Sequence, residues 1–213
     1  KLHISNNQDD TANKAIGNAT NPALQIGGST TYRLGLYTTD EGGVIDAANG
    51  DDGLIFHTKT KGEAVRIASD GKVGISTASP RAVLDVEGDT RLKSYHEAPV
   101  TLTSSGQVVN IDLSKGQTFE LTTTENIVEF RMSNFVADMA TSFTIKILQG
   151  STARTVDIDD FKNSAGSASI PVNWPGGVVP TVTASAGAVD IYSFMTFDGG
   201  DRLYGVVGGQ NFL

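Results

Sequence analysis

The acidic clusters Asp157-Ile158-Asp159-Asp160 and Asp198-Gly199-Gly200-Asp201 are the densest groups of side chains with acid/base potential. Hydrolysis of a glycosidic bond needs two carboxylates roughly 5–10 Å apart across a groove. If a strand ran through the first cluster, Asp157 and Asp159 would share a face with Cα atoms about 7 Å apart. The plainer expectation is a solvated strand end entering a turn, and Asp198-Gly199-Gly200-Asp201 is most simply a hairpin turn. Neither cluster follows the spacing of a calcium loop. His3, His57 and His96 are isolated in sequence, without metal-ligand spacing. No nucleophile-elbow, phosphate-loop or dinucleotide fingerprint occurs. The expectation is a non-enzyme without cofactor or metal.

Trp174, preceded by Asn173 and followed by Pro175-Gly176-Gly177, is the one aromatic placed to grip a sugar ring from a loop. Two roles stay open for it. It could present its ring to a ligand while Asn173 reads hydroxyls, or it could pack in a core or between chains.

The elements that would position these residues are strands. The chain has 213 residues, 24 Gly, no Cys and a formal charge of −8. Lack of Cys excludes a disulfide scaffold and a thiolate site. The negative charge speaks against nucleic acid and against an anionic membrane as partners. No apolar run is long enough to span a bilayer as a helix, so a soluble chain without membrane insertion is expected. A start without Met is what a fragment or a processed chain would show. No segment sustains helical periodicity, so the fold class is all-β.

The two parts of the chain differ. Only Tyr32, Tyr37, Phe56 and Tyr95 among the aromatics precede position 96. Residues 1–95 read as very short strands at a spacing of about ten residues. Leu34/Leu36, Leu54/Phe56, Val65/Ile67, Val73/Ile75 and Leu84/Val86 place apolar side chains on one face. Two such side chains return about 1.5–3 kcal/mol each when buried. Ordering a strand and its turn costs about 1–2 kcal/mol per residue. The shortfall must be met by neighbours. Repeats of drifting length suit three intertwined chains better than a single-chain solenoid.

Residues 66–88 contain R-I-x-S-x-G-x-V-G-I-S-T-x-x-P-x-x-x-L-D-V-x-G. This closely resembles a segment of bacteriophage tail-fibre stems, from which only Ser76 departs, standing where the family usually has Gly. Asp70-Gly71 would form a tight turn, and Gly74 would admit a close backbone. The resemblance implies a homotrimeric stem over residues 1–95. Arg66, Ile67, Val73, Ile75, Leu84 and Val86 would then make contacts between chains. In many such fibres this segment precedes a self-cleaving chaperone, and nothing after Gly88 resembles one.

Residues 96–213 read as a compact domain of short antiparallel strands, a sandwich or jelly roll. The expected strands are 100–103, 108–113, 118–122, 127–131, 142–149, 154–158, 178–183, 189–197 and 203–207. Phe194, Met195 and Phe197 are expected in its core. The closing stretch, Trp174 to Phe212, is similar to the C-terminal tips of phage fibres. The resemblance implies a virion structural protein that attaches to the bacterial surface, extracellular after release. Its implied partners are other virion tail proteins and a receptor, polysaccharide or outer-membrane protein, with Asn173 and Trp174 as candidate receptor contacts. The alternatives are a tailspike depolymerase and a head fibre or connector without a receptor role.

Overall fold

The computed structural model describes the strand backbones at 3–4, 24–27, 33–39 and 42–48, and residues 53–60 and 62–212. The fold is all-β with mixed sheets, and the chain divides into two units, Lys1–Lys93 and Ser94–Leu213.

The first unit holds two four-stranded sheets. Strands β1 (His3–Ile4), β2 (Leu24–Gly27), β3 (Arg33–Thr39) and β4 (Gly42–Ala48) form an antiparallel meander. Strands β5 (Leu54–Thr58), β6 (Gly62–Ile67), β7 (Val73–Ile75) and β8 (Leu84–Val86) form the second sheet, with β7 and β8 parallel. The β6–β7 connection is set by its sequence. Gly71 adopts φ +84° and donates its N–H to the Ala68 carbonyl at 2.9 Å, while Asp70 Oδ1 accepts the Lys72 N–H. Gly74 is required by space, because a Cβ there would sit 2.5 Å from the Thr77 carbonyl oxygen. Ser76 has φ +60°, so this position has a left-handed backbone although its side chain is not the Gly of the tail-fibre segment that the sequence resembles.

The second unit packs two sheets. One contains β10 (Ser104–Ser105), β11 (Val108–Asp112), β13 (Glu129–Ser133), β15 (Phe161–Asn163) and β16 (Ser169–Ile170) in that order. The other runs β17 (Val172–Asn173), β19 (Leu203–Phe212), β18 (Val189–Thr196), β14 (Thr141–Gln149), β12 (Thr118–Thr123) and β9 (Val100–Leu102). From β11 to β15 every successive strand crosses to the opposite sheet. Strands two apart therefore return in the same direction, and β11/β13, β13/β15 and β12/β14 are parallel pairs; β9, three strands before β12, also pairs with it in parallel. The expectation of antiparallel strands is corrected here. Loops 113–117 and 124–128 bridge the sandwich instead of turning hairpins within one sheet. The expected antiparallel pattern is kept in the short β10–β11 and β15–β16 pairs and at the end, where β18 and β19 form a hairpin on β14.

Alternation fills the interior. Phe143, Ile145 and Ile147 on β14 meet Tyr192 and Phe194 on β18, and Val109, Ile111, Phe130, Met132 and Phe161 face them from the other sheet. Phe161 and Phe194 join the two sheets with ring centroids 4.9 Å apart. Met195 and Phe197 do not belong to this core. They lie on the opposite face of the β18 line, 42% and 64% exposed, because side chains alternate and Phe194 and Thr196 already point inward.

Candidate functional site

Trp174 is buried. Its ring meets Tyr192 and Phe194 edge-on at 6.2 and 5.6 Å, and its Nε1–H donates to Asp159 Oδ1 at 2.6 Å. A Cβ on Gly205 would strike the same ring at 2.5 Å, so Gly at that point of β19 makes room for it. The candidate role of Trp174 as a receptor contact is therefore corrected: its ring faces are taken up inside the unit. Asn173, one residue earlier on β17, is exposed and pairs in register with Tyr204.

Asn173 thus joins an outer sheet face that sequence reading missed. One row across it is Asn173, Tyr204, Met195 and Ser142, and the next is Val206, Ser193, Thr144 and Thr118. Tyr204 and Val206 are 41% and 44% exposed, and Phe197 touches Tyr204 edge-on at 5.9 Å. Thr144 and Ser193 share a hydroxyl hydrogen bond of 2.9 Å, and farther along Lys146 donates to Glu120 at 3.0 Å. The face grades from aromatic through hydroxyl to ionic. Aromatic faces bordered by amide and hydroxyl groups suit saccharide rings, which are apolar on their faces and polar at their edges. The missed signal was the alternation itself, since placing Phe194 inward forces Met195 and Tyr204 outward.

The residues expected to contact sister chains come together in the first unit. Register aligns Leu54, Ile67, Val73 and Leu84 in one row across β5–β8, and Phe56, Val65, Ile75 and Val86 in the next. All eight point to one side of the sheet, and none is buried. Phe56, Ile67, Ile75 and Leu84 are among the exposed large apolar residues. Arg66 points to the other side. Its guanidinium grips Glu63 through two bonds of 2.7 and 2.8 Å, which together with the positive charge holds the Glu63 carboxyl below its ordinary range.

The acidic clusters are occupied by the chain's own donors. Asp157 Oδ1 accepts the Asp159 N–H, Asp159 holds Trp174, and Asp160 pairs with Lys162. These residues border a cleft of about 370 Å³ at a turn, not on a strand. Asp198 takes the Thr196 hydroxyl at 2.7 Å and the Arg202 N–H at 3.2 Å in the β18–β19 turn, which lowers its pKa.

Two further carboxylates are structural. Asp190 is buried beneath β19. Burial alone would raise its carboxyl, but the N–H groups of Thr183 and Asn211, with the Tyr192 hydroxyl, outweigh that and hold it low. Burial and the Asp190 charge push the Tyr192 phenol far above its usual value. Glu129 is held low by Lys162 at 2.6 Å and by Arg131.

Among the described residues no group of three or more His, Asp or Glu could hold a metal ion, and no helix is long and apolar enough to cross a membrane. His57 and His96 are exposed, and the side chain of His3 lies outside the described residues. No family model, no curated protein and no solved structure matches the chain.

Proposed function

We propose that the chain is the distal part of a homotrimeric phage tail fibre that attaches to a bacterial surface. Residues 1–93 would form the stem and residues 94–213 the tip. The observation that carries this reading is the eight-residue apolar face of β5–β8, which has no burying layer among the described residues. A lone sheet with such a face is costly in water, and three copies turned inward around an axis would cover it. The stem motif at residues 66–88 supplies five of the eight residues. The second unit supports the reading differently, by completing a core of its own and presenting Asn173, Tyr204, Met195 and Phe197 outward.

The mechanism is avidity. Three weak saccharide contacts on one rigid tip raise the effective concentration, so that millimolar single-site binding still retains a particle. The test is native mass together with adsorption of labelled protein to a panel of bacteria. A threefold mass and saturable adsorption are expected. A monomer at micromolar concentration overturns the stem, and a trimer that adsorbs to no host overturns the attachment role in favour of a connector.

A further inference from the structure

A cleft of about 340 Å³ lies away from the aromatic face and is lined by Thr122, Thr124, Gly150, Ser151, Thr152 and Arg154. That volume is within the range of small-ligand sites, roughly 300–1,000 Å³. Its framework is fixed in the absence of a ligand. Gln149, buried at the end of β14, accepts the Thr123 hydroxyl and the Arg154 N–H, each at 2.9 Å. Its amide donates to the carbonyls of Arg154 and Thr183 at 3.0 and 2.9 Å. Two of the four bonds of this buried side chain thus hold the backbone that carries Arg154, and the other two tie it to Thr123 and Thr183. The cleft also needs Gly150, where a Cβ would come within 2.5 Å of the Thr123 carbonyl oxygen.

Arg154 is out of keeping with its surroundings. Its Nε is buried and has no hydrogen-bond partner, and no carboxylate pairs with it among the described residues. In the same unit Arg131, Lys146 and Lys162 all have carboxylate partners. A buried N–H without an acceptor is unfavourable, and since Nε itself is closed to solvent, the two terminal nitrogens of the guanidinium, which also have no partner among the described residues, form the fork that can grip a carboxylate. No second Lys or Arg lines the cleft, so the site matches a monoanion better than a phosphate dianion. Around the cation, the hydroxyls of Thr122, Thr124, Ser151 and Thr152 are exposed and make no hydrogen bond among the described residues. They suit the hydroxyls of a sugar ring.

We propose that this cleft binds a carboxylate-bearing sugar, a uronate, with the guanidinium of Arg154 on the carboxylate and the threonine and serine hydroxyls on the ring. That such a sugar belongs to a bacterial surface rests on the attachment reading; the site itself does not.

The test is a ligand-detected NMR titration of the full chain with sodium glucuronate, glucose, acetate and inorganic phosphate. Glucuronate is expected to bind saturably and at least tenfold more tightly than the other three. Arg154→Gln should weaken it at least tenfold, because the Gln149 clamp uses only the backbone of residue 154. Thr124→Val with Thr152→Val, both at exposed positions, should narrow the preference for glucuronate over acetate without a change in melting temperature. No saturable glucuronate binding, equal binding of glucose or acetate, tighter phosphate binding, or full retention by Arg154→Gln overturns the proposal. Adsorption to cells without glucuronate binding sinks this site alone, whereas glucuronate binding without adsorption sinks the attachment reading and leaves the site standing.

Discussion

Trp174 and Asp159 meet at 2.6 Å, indole N–H to carboxylate, from segments that lie fifteen residues apart on either side of β15 and β16. The bond ties the loop before β15 to the start of the Pro175–Gly177 turn and holds the indole edge-on to Tyr192 and Phe194. Trp174→Ala should lower stability by about 3–5 kcal/mol, the usual cost of removing a large core aromatic. Trp174→Phe should cost about 1.5–3 kcal/mol, the worth of a hydrogen bond to a charged group. Asn173→Ala should stay within about 0.5 kcal/mol, as an exposed substitution does. Denaturant melts of the three variants check this, and a mild Trp174→Ala would return the ring to the list of ligand contacts.

Ser76 offers a direct reading of backbone cost. It sits at φ +60° where the tail-fibre segment that the sequence resembles usually has Gly. A left-handed non-glycine residue costs about 1–2 kcal/mol, of which Gly gives back about 0.5–1 through its freer unfolded chain. Ser76→Gly should therefore stabilise the first unit by about 0.5–1 kcal/mol, and Ser76→Val should destabilise it by more. Thermal melts of both variants, each against the parent, give the sign.

The strands of the motif were legible because local chemistry sets them. Asp70-Gly71 dictates the turn, and the alternation at Val73/Ile75 and Leu84/Val86 fixes which side is apolar. The parallel order of the second unit was not legible. Loops 113–117 and 124–128 look like hairpin connections, and nothing local says that they lead to the other sheet. Residues 178–183 read as a strand but form none. Their polar groups are used otherwise, with the Thr183 N–H on Asp190 and the Thr181 carbonyl accepting from Gln210. The short strands β15, β16 and β17 escaped notice because two or three residues carry no period. Of the two candidate receptor residues, Asn173 is exposed as a contact requires. Trp174 is not, since whether an aromatic before Pro points in or out depends on Gly205, which lies thirty-one residues on.

Asp190 sets an acid limit on the second unit. Its pKa is lower folded than unfolded, so the stabilisation it gives is complete above the unfolded carboxylate value of about 3.9 and is lost as pH falls through the lower folded value. Asp190→Asn keeps the shape but cannot accept from Thr183, Asn211 and Tyr192 with the same strength. The parent should therefore melt well above Asp190→Asn at pH 7, and the gap should close below pH 4. A gap independent of pH would mean that the carboxylate charge contributes nothing.

Ile75 and Leu84 separate a trimeric stem from a solitary one. Both lie on the eight-residue apolar face, 37% and 59% exposed in the single chain. In a monomer, Leu84→Asp is a surface change worth about 0.5 kcal/mol or less. In a trimer the same carboxylate appears three times around one axis, stripped of water and repelled by its copies, and each buried charge without a partner costs several kcal/mol. Leu84→Asp and Ile75→Asp should therefore convert a threefold mass to a single-chain mass at micromolar concentration, whereas Val83→Asp, at a position 79% exposed and outside the two rows, should not. Sedimentation of the three variants reads the difference, and because the second unit closes its own core, its near-ultraviolet circular dichroism should persist in all of them.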